Sequence, residues 1–183
     1  MSDHYFDIAF TPSVRDAQAQ NGSAEAYGRL IAGTDKPDPL TEREISFIQQ
    51  RDSFYMATVS ETGWPYLQHR GGPVGFVKVL APDTIGIADY RGNRQYLSLG
   101  NLRKDDRTAL FFMDYPRQQR LKVFAHARDM SLENDPELIG QLTDESYGAK
   151  IERGMIFRIE AFDWNCPQHI TPRFTEAEIA DLS

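Results

Sequence analysis

From Phe54 onward the chain runs as short stretches of alternating apolar and polar residues, broken every few positions by Gly or Pro. That spacing suits antiparallel strands joined by tight turns and leaves little room for long helices. The runs are Phe54 to Ser60, Trp64 to Arg70, Phe76 to Leu80, Thr84 to Asp89, Thr108 to Asp114, Arg120 to Asp129 and the segment from Met155 to Trp164. In Arg120 to Asp129, Leu121, Val123, Ala125 and Ala127 alternate with Lys122, His126 and Arg128, the pattern of a strand with one face buried. The runs from Phe54 to Asp89 read as a meander. The expected fold is mainly β with peripheral helices, an antiparallel barrel of six to seven strands.

Helical signals lie outside these runs. Thr41 and Glu44 match a capping box, and Leu40, Ile45, Phe47 and Ile48 supply an apolar stripe as far as Arg51, so a helix should cap one end of the sheet. Gln95 to Leu102 reads as a short helix with Tyr96, Leu97 and Leu99 facing in. Pro136 to Leu142 is another, with Asn134 or Asp135 near its N-cap, and Thr175 with Glu178 caps a terminal helix. Residues 1–40 are punctuated by Pro12, Gly22, Gly28, Gly33, Pro37 and Pro39, with short helices expected at Pro12 to Gln20 and Ser23 to Ile31. Tyr5, Phe6, Phe10 and Tyr27 favour an ordered arm packed on the body. The division is therefore an arm, 1–40, on a barrel domain, 41–183, that ends in a tail and a helix.

With 183 residues the chain can bury one sizeable core. A net charge of -7 argues against a general nucleic-acid binder, whose affinity rests on neutralising phosphates. Every apolar run is far shorter than the roughly 20 residues that cross a bilayer. Cys166 is the single cysteine, which excludes an internal disulfide, and the polar start MSDHYFDIAF lacks the regions of a signal peptide. A reducing cytoplasm is the expected location. His4, His69, His126 and His169 are scattered and there is no second Cys, so no metal site is expected. Cys166 and His169 lack the orienting partner that nucleophilic catalysis needs.

The chemistry concentrates around the loop Arg91 to Gln95. If the flanking strands pair as neighbours, Arg70, Lys78 and Arg94 converge, and three cations with loop amides make a phosphate site. The start of the helix at Gln95 would lie beside Arg94 and favour an anion there. Arg91, Arg103, Lys104 and Arg107 read as surface charges, Arg91 being the nearest exception.

Taken in order, a strand ending QHR, a strand with Lys78, a strand ending at Ala88, the loop RGNRQ, a helix, and the Asp106, Arg107 step into an apolar strand form a recognisable set. This order resembles the FMN-binding split-barrel family that includes pyridoxamine 5'-phosphate oxidase, over about residues 41 to 173. The resemblance implies that FMN phosphate is held by Arg70, Lys78, Asn93 and Arg94, with Gln95 where the family commonly places Lys. It implies that backbone near Ala88 and Asp89 edges the flavin ring. It also implies a homodimer with flavin at the interface, in which the second subunit contributes Trp164 and Arg173.

The sequence also departs from that pattern. Three extra residues separate Arg70 from Lys78, which leaves Gln68 as an alternative to Arg70. Where the oxidase carries an Arg-x-His motif in its tail, this chain has Pro167, Gln168 and His169. The mid-barrel Gln that contacts the ring has no counterpart, since Arg120 and Leu121 fall near that point. The expected function is an FMN-dependent oxidoreductase acting on a small molecule other than the family's phosphorylated substrate. A flavin carrier or sensor, or a split barrel binding haem or a deazaflavin, remains the alternative.

Overall fold

Seven antiparallel strands form one sheet in the computed structural model, which describes residues 3–31, 33 and 36–180. Of the expected arm and barrel domain, residues 1, 2, 32, 34, 35 and 181–183 lie outside that description. The strands are β1 Ser53–Val59, β2 Pro65–Gly71, β3 Lys78–Ala81, β4 Thr84–Tyr90, β5 Arg107–Asp114, β6 Gln119–Ser131 and β7 Ile151–Trp164. The helices are α1 Asp3–Ala9, α2 Pro12–Gln20, α3 Ala24–Gly28, α4 Glu42–Gln49, α5 Leu97–Leu102, α6 Pro136–Leu142 and α7 Glu176–Ala180. The spatial order is β2-β1-β5-β6-β7-β4-β3. An ion pair joins Arg70, at the end of the first strand in that order, to Asp89 on the sixth, so the sheet is rolled onto itself.

The period-two pattern decides which face is inside. Phe54 and Met56 of β1, Leu110 and Phe112 of β5, and Leu121, Val123, Ala125 and Ala127 of β6 are all buried in one cluster, together with Phe157 and Ile159 of β7. Burying one such aromatic or branched side chain stabilises the fold by about 1.5–3 kcal/mol. The expected antiparallel architecture and strand number are therefore those observed.

The expected meander is not. β1 and β2 form a hairpin, as do β3 and β4, but β2 and β3 stand at opposite edges of the sheet. The segment between them turns away from β2: Gly72 N donates to Asp52 O at 2.9 Å and Gly75 N to Arg51 O at 3.2 Å, with Gly75 at φ 80. Phe76 and Val77, read from sequence as the start of a strand, are instead buried in the core ahead of β3. Their apolar character reflects burial rather than strand pairing.

α4 caps the barrel as expected. Thr41 N donates to Glu44 Oε2 at 3.0 Å, and Glu44, Phe47 and Ile48 form its buried face. Arg51, just past its end, pairs with Asp114 at 2.9 Å and donates to Met113 O at 3.2 Å, which ties the helix to β5. α6 covers the outside of β4 and β7, where a Cβ on Gly86 would lie 2.7 Å from Leu142 and one on Gly154 would lie 2.9 Å from Ile139. Only glycine at these two strand positions lets the helix approach so closely.

The arm is anchored by α1, an element that the sequence did not announce. Tyr5 stacks on Phe124 with ring centroids 4.8 Å apart, Phe6 packs on Phe10, and Lys122 lies over the Tyr5 ring. α2 and α3 bury no residues, and α3 is shorter than the expected Ser23 to Ile31. No helix among the described residues is long and apolar enough to cross a membrane.

Candidate functional site

Along β2, Tyr66, Gln68 and Arg70 stand opposite Thr58, Met56 and Phe54 of β1, so they project on the face that carries the core. β1 continues that face with buried side chains, whereas β2 is the edge strand, and its inward residues open into a cleft of about 200 Å³. Gln68, Arg70, Asp89, Asn93, Arg94 and Gln95 all line it. Gln68 and Arg70, the two alternatives from sequence, are thus brought to the same place. The amide oxygen of Gln68 accepts from Ser98 Oγ at 3.0 Å and from the Tyr66 hydroxyl at 3.4 Å.

Arg70 is held from across the roll of the sheet. Its Nη1 donates to Asp89 Oδ1 at 2.6 Å, while its Nε is buried and has no hydrogen-bond partner. Asp89 faces Arg153 directly in the β4–β7 ladder, and Arg153 Nε lies 3.3 Å from Asp89 Oδ2, an ion-pair distance without hydrogen-bond alignment. Burial pushes the Asp89 carboxyl above the ordinary aspartate range, against the opposing pull of Arg70 and Arg153.

The loop after β4 is fastened to β7. Arg91 N donates to Lys150 O at 2.8 Å, and Gln95 N donates to Asn93 Oδ1 at 3.2 Å. Arg94 Nε donates to the Tyr96 hydroxyl at 3.1 Å, which in turn donates to Glu152 Oε1 at 3.4 Å. Glu152 also lies 3.6 Å from Arg91. Arg94 and Tyr96 adopt φ values of 61 and 54, left-handed backbone that side chains with a Cβ rarely take. Such strain persists only where surrounding contacts enforce it, and it clusters at binding sites.

The helix that follows differs from the expectation. α5 has six residues and begins after Tyr96, and Tyr96 and Leu97 are exposed while Ser98 and Leu102 are buried. The left-handed turn at Tyr96 rotates the apolar pattern out of register. A helix this short has little aligned dipole, so side chains and loop geometry carry the anion reading.

The other sequence-designated residues lie elsewhere within the chain. Lys78 is on β3 opposite Gly86, outside the cleft lining, and its charge acts on Asp144. Ala88 is buried beneath α6 with Leu142 and Ile156. Trp164 packs on α4: its ring centroid is 4.7 Å from that of Phe47, Arg43 lies over it at 4.1 Å, and its Nε1 donates to Glu44. Arg173, 5.0 Å from the Tyr115 ring, lines a separate pocket of about 660 Å³ on the outer face of β1, β5 and β6. Arg120, Lys122 and His169 also line that pocket, and none of the described residues lining it is acidic.

Sequence reasoning did not place Glu152 and Arg153 at the cleft, because the last strand was expected to begin at Met155. The signal was the acid and base pair just before it; Arg153 enters the ladder only once β7 is extended back to Ile151.

The sequence profile of pyridoxamine 5'-phosphate oxidase matches residues 40–164. No curated protein matches the chain. Among solved structures, HupZ of Group A Streptococcus is 12% identical, covering 74% of this chain and 100% of its own, with a TM-score of 0.55. A candidate pyridoxamine 5'-phosphate oxidase from Lactobacillus delbrueckii is 21% identical over 72% of this chain and 97% of its own, with a TM-score of 0.52. At these identities the two structures speak for the fold, which they share with the rolled seven-strand sheet described above. The profile spans α4 and every strand that builds the cleft, and on that match the chain belongs to the pyridoxamine 5'-phosphate oxidase family.

Proposed function

We propose that the chain binds FMN and works as a flavin-dependent oxidoreductase on a small molecule. The observation that carries this reading is the cleft at the edge of β2. There Arg70, its side chain 15% exposed, lines the cleft and has an unpartnered Nε, and a strained loop presents Asn93, Arg94 and Gln95 to the same space. An anion with several acceptor oxygens satisfies such donors, and Arg forks suit a phosphate. Lys78 lies outside this lining, so the phosphate reading rests on Arg70 and the loop.

Size supports a two-part site. Pockets for drug-sized ligands run to roughly 300–1,000 Å³. A cleft of about 200 Å³ takes the phosphate end of a flavin nucleotide, whereas the pocket of about 660 Å³ at Arg173 falls in the range for a larger planar group. A second copy of the chain, docked through the outer face, brings the two together. That face leaves Leu67 at 62% exposure beside the largely apolar lining of the Arg173 pocket, apolar surface that a second copy would cover. In this reading Arg173 serves the flavin of the opposite subunit, and backbone at Ala88 and Asp89 borders the ring; Trp164, held by Glu44 and Phe47 of α4, does not lie on the docking face.

When bound, FMN supplies the electron and hydride transfer. The chain contributes anchoring of the phosphate, orientation of the ring and a shaped second pocket. The test is titration of purified protein with FMN and with riboflavin, followed by an anaerobic screen of nicotinamide donors. Tighter binding of FMN supports the phosphate site; equal affinity for the two removes it. Flavin that binds but is never reduced would mark a carrier rather than an enzyme.

A further inference from the structure

Two cations of the cleft, Arg70 and Arg94, come from different elements, and neither touches the other's support directly. Arg70 is held by Asp89 and Arg94 by the Tyr96 hydroxyl. One side chain contacts both supports: Arg153 lies 3.3 Å from Asp89 through Nε, and its guanidinium carbon is 5.2 Å from the centre of the Tyr96 ring. Its Nη2 also donates to Glu152 at 3.2 Å, the carboxylate that accepts from Tyr96. Arg153 is not among the residues lining the cleft, and only 15% of its side-chain surface is exposed.

We propose that Arg153 is the positioning residue of the anion site, acting through Asp89 on Arg70 and through Tyr96 on Arg94. The proposal rests on the phosphate reading of the cleft.

The physical argument concerns how Asp89 divides its charge. An Asp89 carboxylate paired with Arg70 alone would neutralise it and draw its fork away from the cleft. Shared between Arg70 and Arg153, the same carboxylate only partly offsets each; with Glu152 counted, Arg70, Arg91, Arg94 and Arg153 still outnumber the two carboxylates by two, and Arg70 keeps N–H groups that Asp89 does not use. On the other side, the flat guanidinium against Tyr96 holds that ring in its left-handed turn, where its hydroxyl meets Arg94. The acidic partners Asp89 and Glu152 therefore do not cancel the site. They fix where its cations point.

The experiment compares the dissociation constants of FMN and riboflavin for the full chain, because both ligands share the ring site and differ in the phosphate. Arg153→Gln lowers FMN affinity about tenfold and leaves riboflavin unchanged, a loss on the scale of one charge-assisted hydrogen bond. Arg153→Lys keeps a cation beside Asp89 but loses the planar face, and its loss is smaller, about threefold. In a chain already carrying Arg70→Gln and Arg94→Ala, Arg153→Gln adds almost nothing, since it acts through those residues. A folded Arg153→Gln chain with the native ratio of affinities overturns the proposal. If that variant does not fold, Arg153→Lys decides, and an unchanged ratio there overturns it equally. Arg94→Ala separates the two levels. If it leaves the ratio unchanged, the phosphate reading itself fails; if it collapses the ratio while the Arg153 variants do not, only the positioning role fails.

Discussion

The indole nitrogen of Trp164 lies 2.6 Å from Oε1 of Glu44, joining the last residue of β7 to the first turn of α4. Glu44 also accepts from Thr41 N, so a single buried carboxylate both caps the helix and docks it. Glu44→Ala removes the cap, worth about 1 kcal/mol, and leaves the indole N–H unsatisfied at about 1–3 kcal/mol. Denaturant unfolding should therefore show a loss of about 2–4 kcal/mol. A loss below about 1 kcal/mol would mean that water replaces both contacts.

Acid should weaken the fold through Glu44 and Asp114. Burial alone would raise both carboxyls. For Glu44, bonds from Thr41 and Trp164 outweigh it, and for Asp114 the backbone N–H of Arg117 with the charges of Arg51 and Arg117 does. Each therefore sits below its ordinary range when folded. A depressed carboxyl contributes stability that is present above the unfolded pKa and is lost as pH falls through the folded one. Melting temperature should be level near neutrality and decline between about pH 5 and 2. The decline should be shallower in Glu44→Gln and Asp114→Asn chains, and an identical slope in all three would assign acid sensitivity to other groups.

Arg94→Ala should weaken FMN binding roughly ten- to a hundredfold with riboflavin unaffected, if its guanidinium meets the phosphate. Arg94→Gly should bind FMN no better than Arg94→Ala yet fold more stably, because glycine takes a φ of 61 without strain. Isothermal titration and thermal melts on the pair check both halves. Equal melting temperatures would show that the turn is not strained at this position.

The outer face should hold the dimer. Leu67→Asp places a charge at the centre of that apolar hairpin without disturbing the core, since Leu67 points away from Met56 and Phe54. Sedimentation should show the native chain as a dimer and the variant as a monomer with weakened FMN binding. A native monomer that retains FMN would end the interface reading.

Pyridoxine 5'-phosphate should be a poor substrate. Its phosphate needs a second cationic fork near the ring, and the tail offers Pro167 and Gln168 where such a residue is required. Losing one charged contact that persists into the transition state lowers turnover roughly ten- to a hundredfold. Formation of pyridoxal 5'-phosphate by the FMN-loaded chain measures it directly. Rapid product formation would assign the role to another cation, Arg173 or Arg153.

What the sequence made legible was local. The Thr41 and Glu44 pair marked a helix start because capping chemistry needs only a few neighbouring residues. The alternation from Leu121 to Ala127 marked a half-buried strand because side chains on a strand simply alternate between faces. Which strand lies beside which was not legible, since β1 pairs with β5 through contacts that no local pattern encodes. The cleft was therefore foreseen in its loop, at Asn93 and Arg94, and in Arg70, but with Lys78 assigned to it and Arg153 omitted. Tyr96 was expected inside for a related reason: one left-handed residue changes which way a helix stripe faces, and nothing in the letters of a tyrosine announces it.

The separation of β2 from β3 has a consequence for how the molecule comes into being. Arg70, Arg94 and Arg153 belong to parts of the chain made at different times, and Asp89 meets its second partner only when β7 lies against β4. A nascent chain released as far as α5 has both loop and edge strand, yet no Arg153 to complete the support. Pairings between distant segments form late, because the entropy of closing the intervening loops is lost before any contact repays it. On the proposed phosphate reading of the cleft, capture of the ligand would report the last stage of folding, and a growing chain would stay blind to it until the final strand is laid down.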